Sequence, residues 1–163
     1  MENQFNIKEV KVHRTLEGTI FETVFAIMAI VVWGLIILML NQAPDIVPTH
    51  FDASGKPNAY GSPMGIVIPC IIVTIAAIGL MVIAYFPRHI NMPFKVTNIR
   101  QVELTIRMTR ITGLIFLVLT LAIGWTSLGS INHGGPNAIP ILTVVGLLFA
   151  VIIVFTILIR KAK

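Results

Sequence analysis

The chain has 163 residues, 56% hydrophobic and only 12% charged, with a mean hydropathy of +0.90 and a formal charge of +5. Soluble domains carry about 25% charged residues, so this composition excludes an ordinary water-soluble globular protein. The positive excess sits in short stretches between apolar runs, which marks membrane topology rather than nucleic-acid binding, and a single cysteine, Cys70, excludes an intrachain disulfide.

A helix rises about 1.5 Å per residue, so a hydrocarbon core of about 30 Å needs roughly 20 apolar residues. The first stretch that qualifies is 20–40. It is longer than the hydrophobic region of a signal peptide and no Ala-x-Ala site follows it, so it is expected to remain as an anchor. Thr19 and Glu22 have capping-box spacing at its start, which assigns Glu22 to the helix end; a buried, proton-handling acid is the alternative. A polar loop over 41–63 leads to a second span, 64–86. Ser62-Pro63 opens that span, Pro87 stops it, and Pro69 predicts a kink within it.

A cytoplasmic amphipathic helix is predicted over 98–110, running or bending into a third span over 111–128. Asn98 and Gln101 resemble a capping box, Ile99, Val102 and Ile106 recur at helical spacing, and Glu103 can pair with Arg100 and Arg107. Its basic face reads as anchoring to anionic headgroups rather than as a ligand site. Asn137 and Pro140 open a fourth span, 140–159. The expected fold is therefore an all-α integral membrane protein with four transmembrane helices in one domain covering 1–163.

Eleven of the twelve basic residues fall before the first span, between the second and third, or after the fourth; only Lys56 lies elsewhere. By the positive-inside rule both termini and the central segment are cytoplasmic, and loops 41–63 and 129–139 face outward. No Asp, Glu, Lys or Arg occupies the middle of a span, as a stand-alone ion-coupled transporter would require. The hydroxyls there (Thr74, Thr120, Thr126, Ser127, Thr143 and Thr156) can bond back to their own helices. Gly113, Gly124, Gly129 and Gly146 read as sites of close helix packing or loosened helix ends.

The loop 41–62 reads NQAPDIVPTHFDASGKPNAYGS. Pro44 and Pro48 restrict its backbone, Asp52-Ala53-Ser54-Gly55 has turn chemistry, and Phe51 and Tyr60 suit a membrane surface, so an ordered loop is expected. His50, Asp45 and Asp52, with His133 from the other outward loop, are candidate ligands for zinc or another divalent transition metal. The structural alternative has His50 bonding backbone carbonyls to lock the loop. Neither H-E-x-x-H nor G-x-S-x-G occurs, and no cofactor is called for.

The spacing Pro44, Pro48, His50-Phe51, Gly55, Pro57-Asn58 and Tyr60-Gly61-Ser62 resembles a bacterial membrane domain of unknown function. That domain is found at the N-terminus of Sdp-type immunity proteins, which protect cells from a secreted peptide toxin. Pro93-Phe94-Lys95-Val96-Thr97 is similar to the segment just after the domain's second span. The family often has Asp where this chain has Asn58, and its larger members carry a second membrane domain. The resemblance implies a multi-pass protein of the bacterial cytoplasmic (inner) membrane. It also implies a non-enzymatic role in immunity or partner binding, with a peptide toxin or membrane protein recognised by Pro44, Pro48, His50, Phe51, Asp52, Gly55, Asn58, Tyr60 and Gly61. A metal-dependent site and an accessory subunit of a transporter or signalling complex are the alternatives.

Overall fold

The computed structural model describes residues 5, 7–129 and 135–162. Nearly continuous apolar sequence winds into α1, Leu16–Gln42. Its cap is Thr15, whose Oγ1 accepts the Gly18 N–H at 3.0 Å. The helix therefore starts about one turn before the predicted capping box. Thr19 is already helical and bonds back to the Thr15 carbonyl at 3.1 Å, which corrects the capping role given to Thr19 and Glu22.

After α1 come two short strands, β1 (Val47–Phe51) and β2 (Pro57–Gly61), then α2 (Met64–Ile83). The predicted loop is thus an antiparallel hairpin, and the fold is mostly helical rather than all-α. Ser62 Oγ accepts the Met64 N–H at 3.4 Å, and Pro69 lies within α2 without ending it. Beyond Ile83 the chain unwinds through i→i+3 bonds at Tyr85 and Phe86 into a single 3-10 turn, Pro87–His89.

The predicted amphipathic helix and third span form one element, α3 (Ile99–Gly124), extended by a wider turn over Trp125–Gly129. Asn98 Oδ1 accepts the Gln101 N–H at 3.0 Å as expected, but Gln101 Oε1 reaches Thr97 N at 2.7 Å instead of closing the box on Asn98. The last helix is α4, Ile139–Lys161.

Among the described residues four helices are long and apolar enough to cross a membrane, and the chain is a multi-pass membrane protein. α3 is the inner helix and packs against the other three. In its most apolar stretch 56% of residues are buried within the molecule, against 6% in α4, so α4 presents most of its surface to lipid. This explains why α3 alone carries a run of buried threonines. Thr105 and Thr109 donate to carbonyls one turn back, each at 2.8 Å, so their hydroxyls are satisfied without water. Thr74, Thr120 and Thr143 bond back in the same way. Close approach is set by small residues: a Cβ on Gly113 would lie 3.3 Å from the Ala77 carbonyl oxygen, and one on Gly124 would lie 3.0 Å from Ile36 Cγ1. Gly146 has open space around it and makes no such contact.

The bundle has two distinct ends. One cluster joins Val32, Ile36, Ile66, Cys70 and Leu128 to Val47 of the hairpin. The other joins Ala84, Val96, Val102 and Ile106 to Phe5, Ile7, Val10 and Val12 of the N-terminal segment. Asn98 Nδ2 and Gln101 Nε2 both donate to the Ala162 carbonyl, at 3.3 and 3.2 Å, which ties the end of α4 to the same end as the start of α3.

Candidate functional site

The hairpin brings together most of the loop residues singled out in the sequence. Val47 pairs with Gly61, Pro48 with Tyr60, His50 with Ala59 and Phe51 with Pro57. The register shifts on either side of His50, so Thr49 and Asn58 each interrupt the ladder. Prolines in both strands are tolerated because a two-stranded ribbon has only edges. Val47 and Pro48 are buried at the root, Phe51 and Gly61 are half-buried, and Pro44, Asp45, His50, Asp52, Asn58 and Tyr60 are exposed.

Asp52 organises the turn. Its Oδ1 accepts the Ser54 N–H at 2.8 Å, the Ser54 hydroxyl at 2.7 Å and the Lys56 N–H at 3.0 Å. These donors, the Ser54 hydroxyl first and the Lys56 amide next, hold the Asp52 carboxyl below the usual aspartate range. The Asp52 carbonyl also accepts the Gly55 N–H at 2.9 Å, and Gly55 takes a φ of +80° that side chains disfavour. The Gly55 carbonyl then accepts the Ala138 N–H at 3.2 Å, which clips the tip of the hairpin to the start of α4.

His50 Nδ1 lies 2.6 Å from Asn58 Oδ1, so the ring is held by a side chain across the ribbon and not by backbone carbonyls. With Oδ1 accepting, Nδ1 is the donor of this contact. Among the described residues no three His, Cys, Asp or Glu side chains come together to hold a metal ion. His133, the ligand candidate from loop 129–139, lies outside the described residues. What the hairpin exposes chemically is an imidazole, an amide, a phenol and a constrained carboxylate on a backbone pinned at root and tip.

Residues 27–74 match a family described as a domain of unknown function (DUF1648). The match takes in α1 from Ile27 onward, β1, β2 and the first half of α2. The chain is also 33% identical over 79 residues to an uncharacterised protein of Archaeoglobus fulgidus, covering 44% of this chain and 43% of that one. The chain thus matches less than half the length of that relative. No solved structure matches it.

The opposite end of the bundle holds a polar network that motif reading missed. Glu22 accepts a short hydrogen bond from the Tyr85 hydroxyl and pairs with Arg14 at 2.9 Å. Glu17 is gripped by Arg107 through Nε at 2.7 Å and Nη2 at 2.9 Å. Glu103 pairs with Arg100 at 3.4 Å, whereas the predicted link to Arg107 gives way to this longer-range one. Arg110 is buried at 4% exposure, its Cζ 5.3 Å from the centre of the Tyr85 ring. The signal in the sequence was modest: a cluster of acids and bases flanking spans, with nothing to say which would be covered.

Proposed function

We propose that this multi-pass protein is a non-enzymatic recognition module that sits with both ends and its central segment in the cytoplasm and displays the hairpin outside. The segregation of eleven of twelve basic residues away from the hairpin supports that orientation. The observation that carries recognition is the hairpin's construction. Its backbone is fixed by Val47 in the core, by the Asp52 turn and by the Gly55–Ala138 bond, while His50, Asn58 and Tyr60 stay exposed. A pre-ordered surface loses less entropy on binding than a loose loop. The specific form favoured by the resemblance to Sdp-type immunity proteins is capture of a secreted peptide toxin, in a bacterial inner membrane.

The test is protection. Toxin-sensitive cells expressing the intact chain should survive a dose that kills the parent strain, with protection reduced by His50→Ala and lost with Gly55→Val at equal membrane abundance. Survival no better than the parent with the intact chain would overturn the immunity form of the proposal. Protection unaffected by both substitutions would overturn the role of the hairpin.

A further inference from the structure

Between the N-terminal segment and the first turns of α3 lies a half-open cleft of 440 Å³, within the size range of small-ligand sites. Val10, Val12, Val102 and Ile106 give it an apolar wall, and Lys11, Glu17, Glu103, Arg107 and Arg110 line it with charge. The charges do not cancel. Glu17 is taken by Arg107 and Glu103 by Arg100, whereas Lys11 and Arg110 make no ion pair among the described residues.

Arg110 is the anomaly. It is 4% exposed, yet Nε and Nη2 have no hydrogen-bond partner among the described residues. A buried guanidinium without an acceptor is costly, and the ring face of Tyr85 meets only part of that cost. Tyr85 is itself held by its bond to Glu22, so the platform beneath Arg110 is fixed. Gly18 leaves the room: a Cβ there would lie 2.9 Å from Arg110 Nη2. The arrangement keeps a forked donor in a covered place beside a cleft, the geometry that suits a bidentate phosphate oxygen pair.

We propose that this cleft is a binding site for a phosphate group, received by Arg110 with Lys11 at its mouth. Two nitrogens of Arg110 are shut off from solvent, so binding includes a rotation of the guanidinium toward the cleft. The apolar wall beside the charges suits a phosphate that carries hydrocarbon, as in a lipid headgroup; free phosphate shares the same anionic chemistry.

The full chain, purified in a nonionic detergent, is titrated separately with short-chain phosphatidylglycerol and with inorganic phosphate while thermal stability is followed. A rise in melting temperature with phosphatidylglycerol alone identifies a lipid phosphate; a rise with both identifies phosphate without need of the lipid. Arg110→Met should weaken the effective ligand about tenfold or more, as loss of charge-assisted hydrogen bonds predicts. Arg160→Gln removes one charge from the same end of the bundle but outside the cleft and away from the Glu22–Tyr85 contact, and should leave the affinity unchanged. Arg110→Lys keeps the charge without the fork and should bind more weakly than the parent, which keeps the test open if Arg110→Met does not fold. No shift of the parent with either ligand would overturn the proposal. So would equal losses for Arg160→Gln and an Arg110 variant, which would reduce the effect to general attraction of anions.

Discussion

Asp52 and Gly55 close the hairpin by different means, one by hydrogen bonding and one by backbone conformation. Asp52 is exposed, and its lowered pKa means that its contribution is fully present above the ordinary aspartate value of about 3.9 and is lost as pH falls below that through the lowered value. The amide resonances of Ser54 and Lys56 should therefore titrate together with a midpoint below about 3.9. A midpoint at or above that value would mean the turn does not engage the carboxylate. At Gly55 the φ of +80° makes Gly55→Val costly, by about 1–2 kcal/mol from backbone strain. Thermal melting in micelles should show this loss, whereas a variant melting with the parent would contradict the turn geometry. Both residues were legible in the sequence because an Asx-type turn is a local matter, settled within five residues. Glu22 was not. Its neighbours suggest a capping box, but the cap falls on Thr15, and one of its partners is Tyr85, 63 positions away. Spacing along a chain carries no record of such a contact.

The helices were the most legible elements, since crossing a membrane demands a long apolar run whatever the tertiary contacts. Their ends were less so. α3 absorbs the predicted amphipathic helix because the Asn98 cap starts a helix that nothing interrupts until the wide turn at Trp125–Gly129. The strands were missed for a physical reason: Pro48, Pro57 and two interruptions of the ladder erase the alternation by which a strand is recognised. Helix packing supplies an element-scale prediction. Gly113→Leu should destabilise the bundle by roughly 1–3 kcal/mol, as overpacking does, because the Ala77 carbonyl and Met81 Sδ both lie 3.3 Å from where a Cβ would sit. Gly146→Leu faces open space on α4 and should leave the melting temperature close to the parent's. Equal sensitivity of the two sites would show that α2 and α3 do not approach as closely as described.

Taken as a molecule, the chain separates two kinds of surface at opposite ends of one bundle. At one end the hairpin is rooted in the apolar core and clipped to α4. At the other, arginines and acids cross-link the N-terminal segment, α1, α3 and the turn after α2. Hydropathy and charge were enough to foresee that separation, because both are sums over many residues and tolerate errors at each one. They could not foresee that Arg110 would be covered, since burial depends on how α1 and the N-terminal segment lie across α3. The proposed recognition by the hairpin and the proposed binding of phosphate at the basic end both rest on which side of the membrane each end occupies. The deciding measurement is thiol labelling with a membrane-impermeant maleimide in intact cells, using Ser54→Cys or Lys161→Cys in a Cys70→Ala background. Ser54→Cys should label in intact cells and Lys161→Cys only after the membrane is opened; the reverse pattern, or labelling of both from outside, would contradict the orientation.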